Sequence, residues 1–387
     1  MSDNVFDLMD QWGPEKVVCV SDQRTGMRGV LVIDNSARGM AKGGTRMSPT
    51  VSVTEVARLA RAMTWKWAAV DLFHGGAKAG IRFDPASTEK EAVLRAFARA
   101  LRNEVPAEYV FGLDMGLTEN DAAVLADELG DLGAAVGLPR ALGGLPYDEL
   151  GVTGFGVAEA AHAAAETIGL DVVGARVAIQ GFGAVGAATA QRLRELGAQV
   201  VGVSTAGGAL IATDALDVDK LVELRTAHGD DCVQAYGGVR PADELLETDA
   251  EILVPAARED VVGADLARRT TVKLIVEGAN LPTTTDAQQV LHERGIALVP
   301  DFIANAGGVV AAAYSMDARR SPFPVDPADV FTTISSKMRA NAVTVLTESK
   351  RRALTPPEAA LELAAERVRT AMALRRQLPA QRVSVTA

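Results

Sequence analysis

Two lysines, Lys66 and Lys78, lie twelve residues apart and offer the clearest chemistry in the sequence. Lys66 belongs to an apolar run from Val56 to Val70, whose three- and four-residue spacings predict a helix with a buried face. Lys78 follows Gly75 and Gly76, where we expect the chain to leave the helix and turn sharply. Apolar surroundings penalise an ammonium ion and lower its pKa, so either lysine could serve as an acid–base catalyst or an anion clamp near neutral pH. Both could instead extend to solvent from apolar stems.

The elements that must position these lysines mix strands and helices. Residues 16–33 predict a β-hairpin, and the glycine-rich stretch 37–49 predicts an irregular loop. We expect a helix over about 54–72 and a short strand over 80–83. A capping box at Thr88 and Glu91 predicts a helix reaching Leu101. A strand over 109–113 ends at Asp114, and a further helix begins near Thr118.

Length and composition limit the possible functions. The 387 residues fit two domains, predicted at 1–145 and 146–339, with the helices of about 340–387 packing back onto the first domain. Lys and Arg number 39 against 50 Asp and Glu, a net charge of −11, which argues against nucleic acid and anionic membranes as partners. The two cysteines, Cys19 and Cys232, lack metal-type spacing, so no metal site is predicted. With no basic leader or apolar span, we expect a cytoplasmic protein.

A dinucleotide-binding pattern lies in the second half of the chain. Residues 176–180 read as a strand, Gly181–Gly186 as a GxGxxG turn, and the following helix ends near Leu196 before a second strand over 199–203. Glycine lets the backbone approach a pyrophosphate at the helix N-terminus. Further strands over 251–254, 272–276 and 297–299 predict a doubly wound parallel sheet. Ser204 and Thr205 stand where a ribose-binding carboxylate is usual, so NAD and NADP both stay open.

Two polar clusters follow later strands of this sheet. Residues 277–284 read EGANLPTT, and residues 301–309 read DFIANAGGV. Ligands of doubly wound sheets collect beyond the carboxyl ends of strands, so both clusters are candidate binding loops. As loops they could equally form Asx turns and helix caps without a ligand.

The motifs together resemble the glutamate, leucine, phenylalanine and valine dehydrogenase family. They run collinearly over about residues 16–315 as KGGTR at 42–46, MTWK at 63–66, GGAKAG at 75–80, LDMG at 113–116, VTGFG at 152–156, GFGAVG at 181–186, VPAA at 254–257, EGANLPTT at 277–284 and NAGGV at 305–309. The resemblance implies an N-terminal α/β substrate domain, a Rossmann-like cofactor domain and a cleft between them. It also implies NAD(P)-dependent, reversible oxidation of an L-amino acid to a 2-oxo acid and ammonia, by a homo-oligomer.

Roles for individual residues follow from the same resemblance. Lys66 matches the clamp for the substrate α-carboxylate, Lys78 the lysine that activates water, and Asp114 the carboxylate that carries protons to and from the substrate nitrogen. Gly43, Val309, Lys42 and Ala312 complete the expected substrate site. With the glycine turn and the two hydroxyl residues described above, the expected cofactor-binding set is Thr153, Gly181, Phe182, Gly183, Ala184, Val185, Gly186, Ser204, Thr205, Ala256, Asn280 and Asn305.

The choice of amino acid depends on Lys42 and Ala312. Lys42 matches the lysine that glutamate-specific members use for the side-chain carboxylate, whereas Ala312 replaces their serine, as in the branch that takes apolar substrates. The missing hydroxyl would forfeit about 1 to 3 kcal/mol of hydrogen bonding, and a buried lysine without an anion would cost more, so we expect glutamate. In the alternative, Lys42 bends to solvent and the enzyme takes a branched-chain or aromatic amino acid. A catalytically silent, nucleotide-binding homologue is a third possibility, disfavoured because Lys66, Lys78 and Asp114 are all present.

Overall fold

The structure, a computed structural model, describes residues 5–376 apart from the side chain of residue 148. The last positions of the predicted C-terminal helices, 377–387, lie outside the described residues. Within residues 5–376, no helix combines the length and apolar character needed to cross a membrane. The chain divides into two compact units: 1–145 with 312–325 and 362–387, and 146–311 with 326–361.

The first unit is built on one mixed sheet with helices packed against it. Its strands and helices are β1 (Lys16–Asp22), β2 (Met27–Asn35), β3 (Ala41–Lys42), β4 (Thr45–Met47), α1 (Val53–Ala69), β5 (Gly75–Ile81), α2 (Lys90–Ala100), β6 (Tyr109–Val110) and α3 (Glu119–Leu129). The strand order is β1-β2-β5-β3-β6, with β4 also paired to β5. β1 and β2 form the predicted antiparallel hairpin, while β3 runs parallel to both β5 and β6. The chemistry-bearing residues therefore lie on neighbouring short strands.

The second unit contains the predicted βαβ element. Its strands and the helices that enter it are α4 (Tyr147–Leu150), α5 (Val152–Thr167), β7 (Arg176–Gln180), α6 (Ala184–Glu195), β8 (Gln199–Thr205), β9 (Gly208–Ile211), α7 (Val218–His228), α8 (Cys232–Tyr236), β10 (Ile252–Pro255), α9 (Ala264–Arg269), β11 (Leu274–Val276), α10 (Thr285–Glu293), β12 (Ala297–Val299), α11 (Asp301–Ala304), α12 (Gly307–Ala318), α13 (Pro327–Arg352) and α14 (Pro356–Leu374). The order β12-β11-β10-β7-β8 is parallel throughout, which confirms the doubly wound sheet. β9 is an antiparallel edge strand absent from the sequence prediction.

The prediction of a sharp turn at Gly75 and Gly76 is wrong. Both glycines lie inside β5, and the chain reverses earlier, after α1, where Asp71 has a φ of 54°. Gly76 is needed because α1 packs directly on the strand, where a Cβ would lie 2.1 Å from Thr64 Oγ1, and Gly75 because a Cβ would lie 2.2 Å from the Asn35 carbonyl oxygen. The lack of room for a side chain on the strand, rather than a turn, explains this glycine pair.

Two further local predictions are wrong for similar reasons. The stretch 37–49 contains β3 and β4, because its glycines allow close approach to neighbouring backbone rather than irregularity. Thr88 and Glu91 form no capping box; α2 begins after Glu89, which makes no side-chain capping bond. The capping box of this unit is instead at Thr118 and Asp121, where the predicted helix α3 begins.

Candidate active site

Lys78 and Asp114 form a close, largely buried pair in the first unit. Lys78 lies on β5 and is 7% exposed, and its Nζ is 2.7 Å from Asp114 Oδ2. Asp114 follows Leu113, which bridges to Thr45 beside β4. Arg46 on β4 donates from Nε to the same Asp114 oxygen at 3.0 Å. One carboxylate therefore contacts two cations from two neighbouring strands.

Burial and charge set the protonation of this pair. Burial lowers the pKa of Lys78, and the Asp114 carboxylate offsets part of that effect. Burial opposes ionisation of Asp114, but Lys78 and Arg46 outweigh it and hold the pKa of Asp114 below its usual value. The pair thus combines an ionised carboxylate with an amine that releases its proton more readily than an exposed lysine.

Lys42 on β3 is a second buried cation, only 3% exposed. Its Nζ donates to the carbonyls of Gly43 and Val110, each at 3.0 Å, and it forms no ion pair with any residue between 5 and 376. Burial, reinforced by the charges of Lys78 and Arg319, lowers the pKa of Lys42 to about 7. The alternative in which Lys42 bends to solvent is therefore wrong for this structure.

The backbone around Lys42 is fixed by side chains from other elements. Trp67 on α1 donates from Nε1 to the Lys42 carbonyl at 3.0 Å, and Tyr109 donates from its hydroxyl to the Gly43 carbonyl at 3.0 Å. Gly112 leaves room for the ammonium group, since a Cβ there would lie 2.3 Å from Lys42 Nζ. Lys42 is thus held in one position rather than free to move along the site.

Lys66 is half-buried on α1, one residue before Trp67. Met63, one turn earlier on the same helix, reaches within 3.4 Å of the position that a Cβ on Gly43 would occupy. Because Met63 and Lys66 are three residues apart, they share a face of α1. The structure therefore places Lys66, Lys42 and the Lys78–Asp114 pair around one region of the first unit.

The glycine turn of the second unit has the shape that a pyrophosphate site requires. Gly181 adopts a φ of 94°, and a Cβ on Gly186 would lie 1.8 Å from the Gly181 carbonyl oxygen. Gly183 is the N-cap of α6, and a Cβ there would meet nothing within 4 Å. Phe182 is buried beneath the turn, while Ala184 and Val185 form the first turn of α6. Open space thus lies at a helix N-terminus whose N–H groups suit an anion.

Ser204 and Thr205 end β8 beside this turn. The Ser204 carbonyl accepts from Gly181 N at 3.0 Å, and the Thr205 hydroxyl donates to the Asp230 carbonyl at 2.6 Å. Thr205 Oγ1 also accepts from Gly207 N at 3.1 Å. Thr205 therefore orders the turn into β9, and no carboxylate occupies either position.

Asn280 and Asn305, which belong to two different candidate binding loops, are brought together. Asn305 Nδ2 donates to Asn280 Oδ1 at 3.0 Å. Thr153, at the start of α5, lies near α12: a Cβ on Gly308 would be 3.2 Å from its Oγ1. Ala256 follows β10, where its N donates to the Gln180 carbonyl at 2.6 Å. Val309 is buried and Ala312 half-buried on α12, three residues apart.

A buried acid supports the Asn280 loop. Glu277 is 2% exposed and accepts from Asp301 N at 2.8 Å, while Asp301 accepts from Leu281 N at 2.9 Å. Burial, together with the neighbouring Asp301 carboxylate, raises the pKa of Glu277 to about 8. Glu277 is thus a neutral acid at pH 7, and it joins the two loops that carry Asn280 and Asn305.

Sequence reasoning missed Arg46, although it lies inside the quoted KGGTR motif. In a stretch predicted to be irregular, the sequence does not indicate in which direction a polar side chain points. Only the pairing of β4 with β5 brings Arg46 to Asp114. An alternating pattern over Thr45–Met47, with two buried residues flanking Arg46, was the available signal.

Comparisons with known proteins agree with this arrangement. A family described as Glu/Leu/Phe/Val dehydrogenase, dimerisation domain, matches residues 14–131, and one described as Glutamate/Leucine/Phenylalanine/Valine dehydrogenase matches residues 143–376. The chain is 37% identical to the NADP-specific glutamate dehydrogenase of Saccharolobus shibatae, over 94% of this chain and 90% of that protein. It is 35% identical to the NAD-specific glutamate dehydrogenase of Staphylococcus aureus, over 82% and 79%.

A solved structure shows the same fold. The hetero-hexameric glutamate dehydrogenase of Thermus thermophilus, in its Leu-bound form, superposes with a TM-score of 0.80 at 32% identity, over 94% of this chain and 90% of that one. The family matches together span most of the sequence and both units. The chain belongs to the glutamate/leucine/phenylalanine/valine dehydrogenase family.

Proposed function

We propose that this protein is an NAD(P)-dependent L-glutamate dehydrogenase. The observation that carries the choice of glutamate is Lys42, a buried ammonium with two carbonyl acceptors and no carboxylate partner within residues 5–376. An ammonium has three donors, so one is left for a ligand. Buried charges in proteins are normally paired, and the side-chain carboxylate of glutamate would supply the missing anion. The two relatives described above, both named glutamate dehydrogenases, support the same substrate.

The remaining residues divide the chemistry. Lys66 clamps the substrate α-carboxylate, and Lys78, as a neutral amine, takes a proton from the water that attacks the imine carbon. Asp114, 2.7 Å from Lys78, first takes a proton from the substrate ammonium group and later returns it to the nitrogen that leaves as ammonia. Arg46 positions Asp114 through its own hydrogen bond. In reductive amination the same groups return these protons.

The nicotinamide cofactor supplies the hydride acceptor when it is bound. Gly181, Gly183 and Gly186 would hold the pyrophosphate at the N-terminus of α6, where the open space at Gly183 fits it. Asn280 and Asn305 would bind the nicotinamide and its ribose, and Thr153 the carboxamide. Ser204 and Thr205 present hydroxyls rather than a carboxylate, which fits NADP as well as NAD.

The domain assignment follows the residues. We place substrate binding in the N-terminal domain 1–145 and cofactor binding in 146–339. We propose that the enzyme is cytoplasmic and forms a homo-oligomer; the Thermus thermophilus relative, described as hetero-hexameric, supports assembly into an oligomer. Light scattering after size-exclusion chromatography of the purified chain alone tests this; a monomer at micromolar concentration contradicts it.

A panel of 2-oxo acids tests the proposed reaction. Ammonia and each acid are supplied with NADH or NADPH, and nicotinamide absorbance is followed. We expect 2-oxoglutarate to have the highest kcat/KM. Lys78→Ala is expected to abolish turnover while leaving NADPH affinity, measured by fluorescence titration, within about 2-fold. Turnover of no acid at all would instead support the silent homologue.

One observation favours a second candidate function, in which the substrate is a branched-chain or aromatic amino acid. Ala312 offers no hydroxyl to a substrate carboxylate. In the same panel, a higher kcat/KM for 4-methyl-2-oxopentanoate than for 2-oxoglutarate would establish this alternative and remove the role given to Lys42.

A further inference from the structure

The C-terminal end of α12 lies next to Lys42. Ala312 and Met316 are four residues apart and share a face of α12, and Arg319 directly follows the last residue of the helix, Ala318. Met316 is 1% exposed and packs in a small buried cluster with Val110. The Val110 carbonyl is one of the two acceptors of Lys42 Nζ. The end of α12, which Arg319 follows, is therefore anchored through Met316 beside the buried ammonium.

Arg319 has hydrogen-bonding capacity that the protein leaves unused. Its Nη1 donates to the Met316 carbonyl, which directs the side chain back along the helix. Its Nε is buried without a hydrogen-bond partner, and the guanidinium forms no ion pair with any residue in the described range 5–376. A buried guanidinium N–H without an acceptor is costly unless a ligand supplies one.

The positive charge of Arg319 lowers the pKa of two neighbouring groups. Burial lowers the pKa of Lys42, and the positive charges of Lys78 and Arg319 lower it further. Burial likewise lowers the pKa of His74, with added contributions from Lys42 and Arg319. His74 itself contacts Met40, which packs against the same cluster as Met316. Like charges held together without an anion repel each other, so an anionic ligand would relieve two cations at once.

We propose that Arg319 is a specificity residue that binds the distal carboxylate of the substrate together with Lys42. This inference rests on the proposed glutamate dehydrogenase function. A guanidinium fork matches a carboxylate in plane and offers two parallel N–H donors. Arg319 thereby supplies the hydrogen bonding that Ala312, seven residues earlier, cannot provide. The chain recognises a dicarboxylate with two cations rather than with one cation and a hydroxyl.

The test compares two acids of equal chain length, 2-oxoglutarate and 2-oxopentanoate, which differ only in the distal carboxylate. Arg319→Met is expected to lower kcat/KM for 2-oxoglutarate by about 10- to 100-fold, mainly through KM, because one charge-assisted contact is lost. For 2-oxopentanoate, kcat/KM should stay within about 3-fold. Arg320→Met is the matched control, since Arg320 is the adjacent, exposed residue and pairs with Asp131 instead.

A second variant separates recognition from helix stability. Arg319→Lys keeps a charge at the end of α12 but loses the fork, so KM for 2-oxoglutarate should rise while the thermal midpoint stays unchanged. Equal losses with both acids in each variant would show that Arg319 only caps the helix and would overturn the inference. Unchanged selectivity would overturn it as well.

The two proposals fail in different ways. If the wild-type enzyme does not prefer 2-oxoglutarate over 2-oxopentanoate, the glutamate assignment fails. If the wild-type preference exists and both Arg319 variants keep it, only the role of Arg319 fails. A double variant, Ala312→Ser with Arg319→Met, tests whether selectivity can be recovered. The new hydroxyl at position 312 is expected to restore part of the 2-oxoglutarate selectivity.

Discussion

Replacing Lys42 with methionine should reveal how much the enzyme's stability depends on an uncompensated buried charge. The pKa of Lys42 falls from 10.5 to about 7 in the folded protein, and 10.5 minus 7 leaves a difference of 3.5. At 1.36 kcal/mol per unit, holding the ammonium charged costs the folded state about 5 kcal/mol. Methionine has similar length and no charge, so the variant is expected to be more stable than the wild type at pH 6.

The sign of the pH dependence follows from the direction of the shift. The unfolded chain binds this proton more tightly than the folded protein, so the cost is complete below pH 7 and is relieved as pH rises towards 10.5. Between pH 6 and pH 9, the wild-type free energy of unfolding should therefore rise by about 2 to 3 kcal/mol relative to that of Lys42→Met. Titrating groups that do not interact with Lys42 cancel in this difference, whereas His74, whose pKa the charge of Lys42 lowers, does not.

Urea denaturation at fixed protein concentration, followed by tryptophan fluorescence, measures this difference directly. Lys350→Met, at an exposed position on α13, is the control and should show no such divergence. Parallel curves for the wild type and Lys42→Met from pH 6 to pH 9 would refute the reasoning, since they would mean that the ammonium is solvated or already paired. A loss of selectivity for 2-oxoglutarate over 2-oxopentanoate should accompany the gain in stability.

Three further substitutions probe the site. Asp114→Asn is expected to lower kcat by about 10²- to 10⁴-fold and to move the acid limb of the pH–rate profile to lower pH, because Asp114 is the group that raises the pKa of Lys78. Gly112→Ala places a Cβ 2.3 Å from Lys42 Nζ and should raise KM for 2-oxoglutarate with little change for 2-oxopentanoate. Glu277→Gln should gain stability relative to the wild type, by about 4 kcal/mol in urea titrations between pH 5 and pH 9. Because folding raises the pKa of Glu277 to about 8, the stability that protonated Glu277 gives the wild-type protein is lost as pH rises.

The second unit could be predicted closely from the sequence because its signals are local. The GxGxxG turn, the strand before it and the helix after it lie within about twenty residues, and each appears where expected. β9 was not predictable in the same way, since a four-residue edge strand after a glycine pair has no periodicity long enough to detect.

The first unit was harder because glycine has two structural uses. The pair at Gly75 and Gly76 resembles a turn in sequence, yet in the structure it lets α1 pack on a buried strand. Only the position of Thr64, on another element, distinguishes the two. The same ambiguity concealed β3 and β4, and with them the contact between Arg46 and Asp114.

The distribution of charge in the first unit bears on the choice of substrate. Asp114 is shared by Lys78 and Arg46, so the catalytic amine already has its counter-ion within the protein. Lys42 and Arg319 form no ion pair among the described residues, although both are withdrawn from solvent in part or in full. An enzyme that handled only apolar side chains would gain nothing from two such cations and would bear the cost of burying them. An acidic substrate converts that cost into affinity, because its carboxylate pairs with both.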